Sequence, residues 1–208
     1  GSAELELGDY ESAKADFDKA ISMDPKNYDR LIEIYEALAD YGYREVGQEY
    51  LQNVLDTAKQ LDAYDSGRIY YYLGDYQKAY LALEEAKGKG GVDSYLYLGK
   101  AYAATGDYNY ASSVYSNYLS KQGPDAEIYN QLGLCELAKK DYQKALEAFQ
   151  AGKQIEGNSL MQTLSFNEIV AYEYLQDYQK AAVLLNAYLQ NYPDDQAAIR
   201  EQQFLSTR

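Results

Sequence analysis

The chain of 208 residues carries 33 acidic against 19 basic side chains, a single cysteine and no histidine, for a formal charge of −14. That balance disfavours nucleic acid and anionic membrane surfaces, since both demand a basic footprint that offsets phosphate or headgroup repulsion. Cys135 alone cannot build a disulfide framework, and without histidine it cannot complete a common Cys/His zinc site. No run approaches the roughly 18 apolar residues of a membrane span, and no basic start followed by an apolar stretch reads as a signal peptide. The sequence begins Gly1-Ser2, so the start is expected to be an expression scar on a fragment of a longer protein. This leaves the compartment open between the cytoplasm and an exported, surface-anchored location.

In chain order, the first helical signal is Gly8-Asp9-Tyr10, followed by Ala13 and Phe17. A weaker copy follows at Gly42-Tyr43. The grouping then returns as Gly74-Asp75-Tyr76 with Ala79 and Leu83, and as Gly106-Asp107-Tyr108 with Ala111 and Tyr115. Lys140-Asp141-Tyr142 with Ala145 and Phe149, and Gln176-Asp177-Tyr178 with Ala181 and Leu185, complete the series. Glycine permits the positive φ that ends one helix, aspartate caps the next by accepting from its free amides, and tyrosine starts a new buried face. Upstream of each motif lies a second amphipathic segment, repeating at i, i+3, i+4 and i+7, as in Leu31, Ile34, Tyr35 and Leu38 or Tyr95, Leu98, Gly99 and Tyr102. Each unit reads as a helix pair. Pro25, Pro124 and Pro193 fall at unit ends, where a ring that cannot continue a helix is useful. The stretch Thr57 to Ser66 reads as an extension of the second helix of its unit, and Asp194 to Ser206 as a polar capping helix.

These motifs resemble the tetratricopeptide repeat family, whose unit of about 34 residues carries a large residue, Leu-Gly, Tyr, Gly-Asp-Tyr, Ala, an aromatic, Ala and Pro in order. The best copy is Tyr95, Leu98-Gly99, Tyr102, Gly106-Asp107-Tyr108, Ala111, Tyr115 and Pro124. Other copies keep Leu132-Gly133 with Ala145 and Phe149, Gly67 with Tyr70 and Ala79, and Ala171-Tyr172 with Ala181 and Pro193. Tyr35, Gly67, Gly99, Gly133 and Ile169 occupy equivalent positions 32, 32, 34 and 36 residues apart. The second copy departs from the pattern, with Tyr35 and Gly47 where small residues usually sit, and distorted packing is expected there. The resemblance implies an all-α fold: a right-handed α-solenoid of antiparallel helix pairs with a C-terminal capping helix. It forms one domain over 1–208, with a truncated first repeat at about 1–27, repeats at 28–61, 62–91, 92–124, 125–157 and 158–193, and the cap at 194–208.

Twenty-six tyrosines are the oddest feature of the composition. Tyr70, Tyr76, Tyr102, Tyr108, Tyr115, Tyr142, Tyr172 and Tyr178 fall on core positions of the repeat, where a ring buries much area and its hydroxyl reaches the edge. In the family, the first helix of each pair lines a concave groove. Carrying those positions over picks out Tyr64, Arg68, Tyr71 and Tyr72, then Leu96 and Lys100, Asn130 and Leu134, and Phe166, Val170 and Tyr174. Aromatic and arginine side chains are the usual binding hot spots, and Tyr71→Ala with Arg68→Ala is expected to leave the fold intact while abolishing capture. Some family members grip a carboxylate-ended peptide with lysines and asparagines. Here only Lys100 and Asn130 suit that role, against Ile32, Glu36, Tyr64, Phe166 and Val170 elsewhere, so the clamp is incomplete.

Lys87-Gly88-Lys89-Gly90-Gly91 lacks the end of a phosphate loop and reads as a turn. The acidic pairs Glu84-Glu85 and Asp194-Asp195 read as solvated helix ends, and Cys135 as a small core residue. The sequence therefore points to a non-enzymatic interaction scaffold that binds a protein or peptide segment in its groove, one that is not strongly acidic, with no cofactor, metal or nucleic acid. The alternative is an extracytoplasmic lipoprotein or enzyme-accessory module whose anchoring or catalytic part lies upstream, and self-association through a terminal repeat remains a third reading.

Overall fold

The repeated Asp-Tyr step fixes where helices begin. A computed structural model describes residues 1–89 and 91–207. Its helices in chain order are α1 (Ser2–Glu6), α2 (Tyr10–Met23), α3 (Tyr28–Asp40), α4 (Arg44–Thr57), α5 (Ala63–Leu73), α6 (Tyr76–Ala86), α7 (Val92–Ala104), α8 (Tyr108–Lys121), α9 (Ala126–Ala138), α10 (Tyr142–Lys153), α11 (Met161–Tyr174), α12 (Tyr178–Asn191) and α13 (Gln196–Leu205). No strand occurs among the described residues, and no described helix is long and apolar enough to cross a membrane. Asp9, Asp75, Asp107, Asp141 and Asp177 are the N-caps of α2, α6, α8, α10 and α12. Each carboxylate accepts from the amide three residues on, satisfying a donor that the helix itself leaves open.

The residue before each capping aspartate turns the chain with a positive φ. Gly74 and Gly106 do so at +82° and +84°, but Lys140 and Gln176 adopt +65° and +62° with a Cβ in place. An L side chain in this region carries roughly 1–2 kcal/mol of strain, partly offset because glycine loses more freedom on folding. Lys140→Gly and Gln176→Gly are each expected to raise stability by about 0.5–1 kcal/mol, read as a higher urea midpoint with an unchanged m-value.

Paired helices approach closely where a glycine faces a large side chain. A Cβ on Gly99 would lie 2.3 Å from Tyr115 Cζ, one on Gly133 2.3 Å from Phe149 Cε1, and one on Gly67 2.5 Å from Leu83 Cγ. Between α3 and α4 the sizes are exchanged. Tyr35 takes the glycine position and Gly47 the position of the recurring alanines, with Tyr35 Cδ2 2.9 Å from where a Gly47 Cβ would stand. Tyr35 stays buried, so the departure in the second repeat is a compensated swap of large for small.

The helices fall into two compact units, Gly1–Gly90 and Gly91–Arg208. In the first, Leu5, Ala13, Phe17, Ile34 and Leu38 form one buried cluster, and Leu31, Ile32, Tyr35, Leu51 and Ile69 the next. Each joins neighbouring helix pairs. In the second, Ala145, Leu146, Phe149, Leu164 and Ala171 unite α10 with α11. Ile169, Ala181, Leu185 and Tyr188 receive Ala198 and Leu205 of α13, which closes the last pair as a cap.

Three details refine the sequence reading. Helix α4 stops at Thr57 and does not extend to Ser66. A loop over 58–62 leads into α5, whose N-cap Asp62 accepts from the Asp65 amide. Of the eight tyrosines assigned to the core, only Tyr115 is fully buried; the other seven are half-buried at the margins, while Tyr35, Tyr95 and Tyr188 are buried instead. Lys87 to Lys89 form a turn as expected, whereas Gly90 of that stretch and Arg208 of the capping segment lie outside the described residues.

Candidate functional site

In the first unit, α3 and α5 lie side by side as first helices of successive pairs, and their polar groups interlock. Arg68 is 7% exposed. Its Nη1 donates to Asp29 on α3, its Nη2 donates to Asp65 one turn earlier on α5, and its guanidinium lies 4.3 Å from the centre of the Tyr64 ring. Burial works against the charged form of Arg68, but the bonds to Asp29 and Asp65 overcome it and hold the guanidinium above the usual arginine value. Burial also pushes the Asp65 carboxyl up, against the pull of Arg68. Arg68 is thus a strut within the fold, and Arg68→Ala is expected to cost stability as well as any contact with a partner. Tyr72 lies further along α5 and donates its hydroxyl to Glu36 on α3; its ring packs 5.1 Å from that of Tyr35. Tyr71 meets Tyr72 edge to face at 5.4 Å.

In the second unit, α7, α9 and α11 are the corresponding first helices. Lys100 on α7 reaches Glu127 on α9 at 3.7 Å, and Asn130 on α9 accepts from Asn167 Nδ2 on α11 at 2.9 Å. Asn130 is buried, so both residues of the incomplete clamp are engaged in joining one helix to the next. The remaining positions are apolar and at least partly open. Leu96, Phe166 and Val170 are half-buried, Leu134 is 39% exposed, and Tyr174 is 54% exposed with its ring stacked 4.9 Å from Tyr142. Phe166 leans on Tyr188. The sequence reading missed the partners that immobilise these side chains, Glu36, Asp65, Glu127 and Asn167, because most of the bonds are made between successive first helices, 27 to 39 residues apart. The available signal was an acid or amide recurring one repeat away from a base or amide on the same helix face.

Two titratable groups in the second unit stand apart. Cys135 is buried, and burial followed by the adjacent Glu136 pushes its thiol up to about 12, which makes it an inert core residue. Glu173 on α11 meets Glu201 on α13, and burial together with that neighbouring carboxyl raises Glu173 to about 7. A carboxyl raised on folding favours the folded state only while it keeps its proton. Its contribution is therefore complete below its ordinary value of 4.5 and is lost as pH climbs through about 7. Glu173→Gln removes the charge, so the variant is expected to match the parent near pH 4 and to exceed it at pH 8. The gain is at most about 1 kcal/mol, since a half-exposed group is screened by solvent. Melting both proteins across this range isolates the effect from Asp9, Asp75 and Asp141, whose carboxyls are held down by their hydrogen bonds from Ser12, Lys78 and Lys144 and which both proteins share.

The architecture defines a class: stacked antiparallel helix pairs whose first helices lie side by side within each unit. The chain matches tetratricopeptide repeat models over residues 1–27, 96–159 and 166–195, which together span more than half of it, and it belongs to the tetratricopeptide repeat family. Among solved structures it is similar to TTC0263, a thermophilic TPR protein of Thermus thermophilus, with a TM-score of 0.66 and 15% identity over 87% of this chain and 100% of that one. YrrB, described as a TPR protein with an unusual peptide-binding site, gives a TM-score of 0.59 and 20% identity over 90% of this chain and 97% of that one. A tetratricopeptide repeat protein from Parabacteroides merdae gives 0.62 and 14%, covering 90% and 75%. No curated protein matches the sequence.

Proposed function

We propose that the chain is a non-catalytic scaffold that holds a protein or peptide segment against the face formed by its first helices. One observation carries this reading: on α7, α9 and α11 the polar residues bond to one another, while Leu134, Val170 and Tyr174 remain accessible. Such a face is pre-organised, with little side-chain freedom left to lose and apolar surface left to bury, which favours association. The aromatic and aliphatic character suits an extended or helical peptide, and the net charge of −14 selects against a strongly acidic one. The peptide-binding site of YrrB is consistent with this use of the fold.

A phage-displayed random peptide library selected on the protein tests the reading. Enriched peptides are expected to lose about tenfold in affinity with Leu134→Ser plus Val170→Ser, as for removal of hot-spot contacts. They should be indifferent to Leu81→Ser plus Val183→Ser, at exposed positions of the second helices α6 and α12. The opposite dependence would place binding on the second helices and sink the assignment.

A further inference from the structure

In the repeats of α3, α7 and α9 a branched apolar residue comes directly before the equivalent positions Tyr35, Gly99 and Gly133: Ile34, Leu98 and Leu132. On α11 that place, before Ile169, is held by Glu168, which is buried all the same at 6% exposed. Its partner on α10 is Lys153, four residues after Phe149, where α8 and α12 carry Leu119 and Leu189 four residues after Tyr115 and Leu185. Lys153 Nζ donates to Glu168 Oε2 at 2.6 Å, and Gln150 Nε2 donates to Glu168 Oε1 at 2.8 Å. A buried ion pair generally gains no stability over the apolar contact it replaces, and departures from a fold's own pattern gather at functional positions. Both members of this pair line an open cavity of about 260 Å³ bounded by α10, α11 and α12. Its exposed lining is mostly apolar and includes Met161, Leu184 and Ala187. An apolar hollow with a few fixed polar groups is the common form of a small-ligand site.

We infer that this cavity binds a small neutral molecule with an apolar body and a carbonyl oxygen, the oxygen accepting a hydrogen bond from Lys153. The ammonium of Lys153 has three protons and gives one to Glu168, so two remain to offer. Glu168 fixes the position of that ammonium and offsets its charge. A neutral acceptor therefore gains a charge-assisted bond without repulsion, whereas a carboxylate meets Glu168 and the field of a chain with net charge −14. A cationic ligand finds both Glu168 oxygens already engaged. A hydrocarbon leaves the lysine protons unmet. A dry cavity of about 150 Å³ is enough to take benzene, so this one has room for a ring with a short carbonyl substituent. The assignment does not depend on the holding function proposed above.

The chain has two methionines, Met161 in the cavity lining and Met23 at the end of α2 in the first unit, which serve as reporter and control. Protein carrying ¹³C-methyl methionine gives two signals, assigned by the loss of one in Met23→Leu. Acetophenone is expected to shift the Met161 signal saturably and to leave Met23 in place. Ethylbenzene, of similar shape without the oxygen, is expected to bind about tenfold more weakly, and benzoate more weakly than acetophenone as well. Lys153→Leu with Glu168→Leu restores the residue type of neighbouring repeats. This variant is expected to melt no lower than the parent and to bind acetophenone and ethylbenzene alike. An unmoved Met161 signal, equal affinity of the parent for acetophenone and ethylbenzene, benzoate bound at least as tightly as acetophenone, or a preference for acetophenone that survives the double substitution would each overturn the assignment. The three probes on the parent protein decide the ligand class by themselves, whatever the stability of the double variant.

Discussion

Ala111→Asp is expected to lower the stability of the second unit by about 3–5 kcal/mol, because it places an unpaired charge where no water reaches. Ala111 is fully buried on α8, as are its equivalents Ala13, Ala79, Ala145 and Ala181 on the other second helices. Leu98 and Tyr115 of the same pair are also fully buried. A domain is stable by only about 5–15 kcal/mol, so this one change consumes a large part of the margin. Ala104→Asp, at an exposed position of α7 in the same pair, introduces the same charge and should change stability by less than about 0.5 kcal/mol. Urea unfolding followed by circular dichroism compares the two. Equal effects would mean that the helix pairs do not pack as described.

The second large effect concerns Arg68. Arg68→Ala is expected to lower stability by about 2–3 kcal/mol, since it leaves the half-buried Asp65 carboxylate without its cation. Coupling within the strut should be uneven. Asp65 has a side chain 19% exposed, whereas Asp29 is 75% exposed and its pairing with Arg68 is screened by water. Double-mutant cycles are therefore expected to give about 1–2 kcal/mol for Arg68 with Asp65 and less than about 0.5 kcal/mol for Arg68 with Asp29. Coupling of equal size would show that Asp29 is held as rigidly as Asp65. A variant destabilised to this degree cannot separate binding from folding, which is why Leu134 and Val170 carry the binding test.

The helix pairs were legible in the sequence because their signals are local. The aspartate cap and the small residue that admits a neighbouring ring are each set by spacings within one helix or one turn. The end of α4 at Thr57 was misread for the same reason. Nothing in the local pattern from Thr57 to Ser66 marks a break, and the cap that starts α5, Asp62 bonding to the Asp65 amide, has no tyrosine directly after it to advertise it. The face of the first helices was legible only in part. Its residue positions followed from the repeat, but the state of Arg68 and Asn130 depends on Asp29 and Asn167 in adjacent repeats. The tyrosines show the limit of a positional rule. Tyr115 is enclosed because it faces Gly99, whereas Tyr102 and Tyr110 stack at the margin with centroids 5.1 Å apart.

The central claim is that partners are held on the first helices, and site-specific photo-crosslinking in cells of the source organism tests it most directly. A benzophenone amino acid placed at Leu134 or Val170 should yield a discrete, shared adduct after illumination, and one placed at Val183 or Leu81 should yield none. Adducts that form only from Val183 or Leu81 would contradict the account and move the binding surface to the second helices.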